Sequence, residues 1–345
     1  MFLEIKNRLE KELRNYTRTI AKTYSLDKLS PLLFNKIKEF ISREGKRVRP
    51  ILFCIGYLGF AKKEAKGLYR SALSLELLHD FMLVHDDIID KSDTRRGKPS
   101  MHSLFNKYLE KKKVKFSGED LSIVVGDVIY AMALDAFLAV DEDLNRKELA
   151  LKKLISAALY TGSGEFIELL LGAKPIEKTA KADIYKIYDY KTANYTFASP
   201  LSMGAILAGT RKKEINNLID YGMNLGRAFQ IKDDIIGTFG DAGQTGKSNL
   251  TDISEAKKTI LVWYAYKNSD NKGRTKIKNV FSGKNPGRKE LIEMRNLISE
   301  SGSLDYAKLE INNLLDKSKK IIHSSGIDQE YREALVNFSY KILST

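Results

Sequence analysis

Apolar residues recur at three- and four-residue steps along most of this chain, the period that lays one buried stripe along an α-helix. The pattern predicts helices over roughly 2 to 24, 32 to 43, 50 to 90, 101 to 112, 120 to 140, 145 to 172, 181 to 208 and 212 to 237. Further helical segments follow near 250 to 268, 287 to 324 and 327 to 343. No stretch shows the alternation of a half-buried strand. The interruptions are short and polar: REGKRVRP (43 to 50), KSDTRRGKPS (91 to 100), KKKVKFSGED and FGDAGQTGKSN (239 to 249), with NSDNKGRTKIKN and SGKNPGRKE reading as solvated connections. Neither a fixed-period repeat nor a low-complexity linker divides the chain, so the expected architecture is all-α, one large helical domain over 1–345.

Composition narrows the classes. Over 345 residues, 43% hydrophobic and 30% charged positions describe a globular chain, neither disordered nor membrane-spanning. The opening segment MFLEIKNRLEKELRNY is too charged for a signal peptide. One cysteine, Cys54, excludes an intrachain disulfide and a Cys-rich zinc site, and makes a cytoplasmic location the expectation. Lys and Arg outnumber Asp and Glu by 58 to 44, which favours phosphates, nucleic acid or an anionic membrane surface without choosing among them.

Two acidic clusters sharpen the choice. LSLELLHDFMLVHDDIID ends an apolar helix on Asp86, Asp87 and Asp90. Asp86 and Asp90 lie about 40° apart on one helical face, with His79 between them. In RAFQIKDDIIGTFGD, Asp233 and Asp234 again end an apolar helix, and Gln230 precedes them by nearly one turn. One such cluster also describes a solvated helix end. Two of them place anions against the negative end of the helix macrodipole, which bound divalent cations would explain. Carboxylate oxygens suit Mg²⁺, and two helices of a bundle could share such ions.

Basic loops accompany the acids: Lys46, Arg47 and Arg49 in EGKRVRP, Arg95 and Arg96 in DTRRGKP, Lys191 in DYKTAN, Lys247 in QTGKS, and Lys257 with Lys258 in EAKKT. Arg forks and Lys point charges bind phosphate oxygens, and Mg²⁺ joins carboxylates to substrate phosphates. The combination points to Mg²⁺-assisted diphosphate chemistry, although each basic cluster alone also describes a solvated surface. GDAGQTGKS is not a P-loop, because Asp241 stands where the first glycine of GxxxxGK[ST] belongs and a helix, not a strand, precedes it. His79, His85, His102 and His323 form no HExxH, which disfavours a zinc hydrolase.

GKRVRP, LLHDFMLVHDDIIDKSDTRRGKP, YKTA, FQIKDDIIGTFGDAGQTGK and EAKKT, in this order over 45 to 260, resemble the motifs of the trans-prenyltransferases, the polyprenyl synthetase family, and most of all the archaeal-type geranylgeranyl diphosphate synthases. The resemblance implies a helical bundle of the isoprenoid synthase type that condenses isopentenyl diphosphate with allylic diphosphates, as a homodimer. It implies that Asp86, Asp90 and Asp233 hold three Mg²⁺ ions, that Arg95, Lys191, Lys247 and Lys257 clasp the allylic diphosphate, and that Lys46, Arg49, His79 and Arg96 bind isopentenyl diphosphate. Lys191, Thr192 and Gln230 match the oxygens that ease the family's carbocation. Phe81 and Met82 match its chain-length floor and resemble the arrangement of C20 makers, with a C15 product the near alternative.

Two departures stand out. Gly237 replaces a third aspartate of the second acidic motif, and in SGEFIEL Glu165 takes the place of a common Gln, with Glu168 supplying the following acid. A terpene cyclase-like enzyme would not need GKRVRP and RRGKP together, and a regulatory synthase subunit would lack the first cluster's acids, all present here. Basic residues interleaved with carboxylates argue against nucleic acid. At most a transient membrane contact is expected for an enzyme with a lipid diphosphate product.

Overall fold

The computed structural model describes residues 1–240, 253, 257–281 and 287–343. In chain order the helices are α1 (Phe2–Thr23), α2 (Leu26–Leu29), α3 (Pro31–Ile41), α4 (Val48–Leu58), α5 (Leu68–Ile89), α6 (Met101–Leu109), α7 (Gly118–Phe137), α8 (Leu144–Ala173), α9 (Lys181–Ile187), α10 (Ser199–Leu207) and α11 (Lys212–Phe239). Then come α12 (Ile260–Asn268), α13 (Asn271–Val280), α14 (Arg288–Glu300), α15 (Ser303–Ser324) and α16 (Gln329–Leu343). The all-α expectation is met.

Four local readings need correction, the first being the segment expected over 287 to 324, which Ser301 and the left-handed Gly302 divide into α14 and α15. The helix expected over 50 to 90 is two helices, because the chain breaks between Gly59 and the left-handed Gly67. The loop RRGKP folds into a two-residue antiparallel pair, β1 (Thr94–Arg95) with β2 (Lys98–Pro99). Arg96 (φ 54°) and Gly97 (φ 70°) form its turn, and two successive positive φ values match the right-handed twist of a tight hairpin. NSDNKGRTKIKN, expected as a connection, contains α13, whose N-terminus is capped by Asp270 accepting from the Gly273 N–H at 2.7 Å.

The chain divides into two compact units, Met1–Leu154 with Met203–Thr210, and Ile155–Ser202 with Arg211–Thr345. The chain passes between the units three times, inside α8, inside α10 and in the connection between α10 and α11.

In the first unit α5 is buried around most of its circumference and packs most extensively on α7. Its buried positions include three acids, Glu76, Asp80 and Asp87. Spacings of four and eleven residues place all three within about 40° on one helical face. Buried carboxylates require counter-charges, because removing one partner of a buried pair costs several kcal/mol. Arg47 meets Glu76 at 2.6 Å and Glu10 at 2.8 Å. Arg96 lies 3.6 Å from both Glu76 and Asp80, and Arg95 pairs with Asp87 through Nε at 2.8 Å. Burial works against the Arg47 charge, yet Glu76 and Glu10 outweigh it and hold its pKa above the ordinary value.

The second unit is organised around α11, which packs on α15 and on a π-helical stretch, Tyr188–Ala198, that continues α9. The approach is close: a Cβ on Gly226 of α11 would stand 2.4 Å from the Ala193 Cα of that stretch. Tyr221 of α11 donates to the Leu335 carbonyl of α16 at 2.9 Å.

These ion pairs separate two neighbours of one basic motif, since Arg47 is buried while Lys46 is exposed. Replacing Arg47 with Ala would take the nearer of two arginines from Glu76, leaving Arg96 at 3.6 Å, and is expected to destabilise the fold by about 3–5 kcal/mol. Lys46→Ala should stay within about 0.5 kcal/mol of the parent. Urea denaturation of the two variants measures both.

Candidate functional site

The first acidic cluster sits where α5 ends. The Asp90 N–H donates to the Asp86 carbonyl at 2.8 Å, and the Ser92 N–H donates to the Asp87 carbonyl at 2.8 Å. Lys91 then turns left-handed at φ 52° and stops the helix. Asp86 and Asp90 are half-buried, whereas Asp87 is fully buried against Arg95. The adjacent aspartates therefore have different environments: one faces inward to an arginine, and its neighbour lies on the partly exposed side.

His79 lies two turns before Asp86 and close to the same side of α5. Its surroundings and the nearby Arg49, Arg96, Arg95 and Arg47 push its pKa well below the ordinary imidazole value. At neutral pH it is a neutral ring with one N–H to donate. The partly buried Arg49 and Arg96 thus share this neighbourhood, while Lys46 stands exposed at the entry to α4. Asp80, directly beside His79, is buried with no hydrogen bond to either carboxylate oxygen among the described residues. Burial and Glu76 push its pKa well up, against the pull of Arg96, Arg47 and Arg49.

Phe81 and Met82 are half-buried on α5. The Phe81 ring contacts the rings of His85 and of Tyr130 on α7, with centroids 4.7 Å and 5.2 Å away. This aromatic group lies just upstream of the acids, where the sequence placed the chain-length floor.

The second unit carries the other candidates. Lys191 and Thr192 lie in the π-helical stretch, a geometry with one extra residue per turn that is frequent at functional sites. The Lys191 ammonium is paired with both Glu165 and Glu168 of α8. The acid that departs from the common pattern thus finds a cation, and one lysine carries two carboxylates. Thr192 donates through Oγ1 to Gln230 Oε1 at 2.5 Å. Gln230 in turn donates through Nε2 to Asp234 Oδ1 at 3.1 Å.

The second aspartate pair divides as the first does, with Asp233 exposed and Asp234 buried. Tyr188 donates its hydroxyl proton to Asp234. Burial and the Asp234 charge raise the Tyr188 pKa well above its ordinary value, so the phenol stays protonated. Lys258 turns inward and donates to the last carbonyls of α8, Leu171 and Gly172, at 2.6 Å each, while Lys257 remains partly exposed. Burial, reinforced by Lys174, pushes Lys258 down to about 8. Lys247 lies outside the described residues.

The structure thus brings Asp86, Asp90, His79, Arg49, Arg95 and Arg96 into one neighbourhood of the first unit. It joins Lys191, Thr192 and Gln230 by contact or sequence adjacency in the second, with Asp233 one turn along α11. Sequence reasoning missed Tyr188, Asp234, Glu76 and Asp80 as parts of these networks. The only available signal was the doubling of acids on apolar helices.

In each unit, carboxylate oxygens at a helix end fit a hard divalent cation. Among the described residues no group of three or more His, Cys, Asp or Glu side chains forms a protein-only cage. That donor set suits Mg²⁺, which usually binds through one or two carboxylates, keeps waters and takes substrate phosphates.

The sequence model of the polyprenyl synthetase family matches residues 30–298. A geranylfarnesyl diphosphate synthase of Aeropyrum pernix is 31% identical over 86% of this chain and 88% of its own. A geranylgeranyl diphosphate synthase of Saccharolobus solfataricus is 31% identical over 89% and 85%. The fold is similar to that of a geranylgeranyl pyrophosphate synthase from Corynebacterium glutamicum, crystallised with isoprenyl diphosphate and magnesium, at a TM-score of 0.89, 24% identity and 99% and 98% coverage. By the span of the family match and the identity to these relatives, the chain belongs to the polyprenyl synthetase family and is a prenyltransferase.

Proposed function

We propose that this enzyme condenses isopentenyl diphosphate head to tail with allylic diphosphates and releases geranylgeranyl diphosphate. The observation that carries the reading is the division of both aspartate pairs: Asp87 and Asp234 are buried in internal pairs, whereas Asp86, Asp90 and Asp233 remain on partly or fully exposed sides of their helix ends. Relatives named geranylgeranyl and geranylfarnesyl diphosphate synthases support the substrate class.

Asp86, Asp90 and Asp233 would hold three Mg²⁺ ions on the allylic diphosphate. When bound, Mg²⁺ supplies charge neutralisation to the leaving diphosphate. Arg95, Lys191, Lys247 and Lys257 bind the same group, while Lys46, Arg49, Arg96 and neutral His79 receive isopentenyl diphosphate. As the carbon–oxygen bond of the allylic substrate breaks, its electron pair leaves with the diphosphate and an allylic cation remains. Oxygens of Lys191, Thr192 and Gln230 would ease that cation as preorganised dipoles. The alkene of isopentenyl diphosphate attacks, and the released diphosphate takes the proton, so no dedicated protein base is required.

Helix α8 is long and apolar enough to cross a membrane by length and composition, yet only 22% of its most apolar window is buried. Leu159, Phe166, Leu169 and Leu170 are exposed on it. We assign this face to a second copy of the chain, giving a cytoplasmic homodimer with at most transient membrane contact. Light scattering should return twice the chain mass, and Leu159→Asp should return the monomer mass. A monomeric parent protein would overturn the assignment.

Incubation with Mg²⁺, labelled isopentenyl diphosphate and each of the C5, C10 and C15 allylic diphosphates, followed by dephosphorylation and chromatography, should give a dominant C20 alcohol. A C15 alcohol would keep the chemistry and correct the product. Phe81→Ala should lengthen the product by at least one isoprene unit, since one helical turn of about 5.4 Å is close to that length. An unchanged product from the folded variant would locate the floor elsewhere.

A further inference from the structure

The second acid of the second cluster is used differently from its neighbour. A hydrogen-bond chain runs through the buried side of α11, and the chemistry of its members fixes the direction of every proton. It starts at the backbone N–H of Ile260, which donates to the Tyr188 hydroxyl oxygen at 3.0 Å. A phenol has one proton, and Tyr188 gives it to Asp234 Oδ2. The Gln230 atom facing Asp234 Oδ1 is the amide nitrogen, which donates at 3.1 Å to a carboxylate that already accepts from Tyr188. Gln230 Oε1 is therefore turned the other way, where it accepts from Thr192 Oγ1 at 2.5 Å.

The reverse amide orientation is excluded electrostatically. It would set a carbonyl oxygen against a buried carboxylate, a loss that the Thr192 hydroxyl, able to donate or accept, does not offset. Such a flip replaces an attractive contact by a repulsive one in a poorly solvated setting, where polar mismatches are most costly. Asp234 is 4% exposed and Asp233, its neighbour, is exposed, so the pair has two environments and two uses.

We infer that Asp234 is a positioning residue: with Tyr188 it locks the amide of Gln230 so that the carbonyl oxygen, not the NH₂ group, is presented beside Thr192 to developing positive charge. The inference rests on the proposed role of Gln230 toward the allylic cation. An unlocked amide would spend part of its time with the wrong pole of its dipole facing that charge, so the cost falls on the chemical step and leaves substrate and metal binding unaffected.

The test compares Asp234→Asn, Tyr188→Phe and Asp233→Asn in the full-length protein. Two readouts are needed: steady-state kinetics with a Mg²⁺ titration, and the side-chain amide resonances of Gln230 in ¹⁵N-labelled protein, assigned by their loss in Gln230→Leu. For Asp234→Asn, kcat should fall by about 10²-fold, the size of a misplaced catalytic group. Both KM values and the Mg²⁺ concentration for half-activation should stay within about twofold of the parent. The Gln230 resonances should move toward those of a solvated amide. Asp233→Asn should instead raise the Mg²⁺ requirement and leave the Gln230 resonances in place.

If Asp234→Asn fails to fold, Tyr188→Phe keeps the carboxylate, removes its second donor, and should shift the same resonances with a smaller loss of kcat. Overturning results are an increased Mg²⁺ requirement in Asp234→Asn with unmoved Gln230 resonances, which would make Asp234 a metal ligand, or unmoved resonances and unchanged kcat in Tyr188→Phe. Absence of any prenyl transfer by the parent protein would instead strike the underlying functional reading, and the resonances would still report whether the lock exists.

Discussion

A helix turns by about 100° per residue, so two adjacent charged side chains on a packed helix cannot share one environment. Both aspartate pairs obey this constraint. Asp87 faces the inside of the first unit and Asp234 the inside of the second, while Asp86 and Asp233 lie toward the outer side of the same helices. The inward acid must find a counter-charge or hydrogen-bond donors, because an isolated buried carboxylate costs more than the fold can supply. Arg95 answers Asp87, and Tyr188 with Gln230 answers Asp234. The outward acids are thereby held at defined positions by the buried pairs beside them.

Basic residues follow the same division by other local means. Arg47 adopts a left-handed backbone at the start of α4 and sends its guanidinium inward to Glu76 and Glu10, whereas Lys46 remains exposed. Lys258 closes the last turn of α8 on two carbonyls while Lys257 stays partly exposed. The buried acids of α5 form a stripe against which Arg47, Arg96 and Arg95 are ordered. This cationic neighbourhood is therefore built on carboxylates beneath it, which limits the repulsion among its arginines.

In the second unit the candidate residues depend on backbone geometry as much as on charge. The π-helical stretch carries Lys191 and Thr192, and the absence of a side chain at Gly226 lets α11 approach it closely enough for Thr192 to reach Gln230. Glu165, which stands where the family commonly has a Gln, has a simple setting: it shares the Lys191 ammonium with Glu168. That arrangement tempers the positive charge of a residue assigned to diphosphate binding and distinguishes this chain's site from one with a neutral amide at that position.

Much of this was legible beforehand because it depends on local spacing. Helical periodicity, the acids at the ends of α5 and α11, and the order of the basic motifs follow from residues a few positions apart, and helix geometry relates such residues without reference to the rest of the chain. The misread segments failed for local reasons too: α13 has few apolar positions to display a period, and the RRGKP hairpin is two residues per strand. What only the tertiary structure decided is which of two neighbouring charges turns inward and which serves the site. That choice needs partners from distant segments: Glu76 meets an arginine 29 residues away and Asp234 a tyrosine 46 residues away. The sequence by itself determined which residues could do chemistry; packing, by burying one member of each pair and supplying its counter-charge, determined which of them are placed to do it.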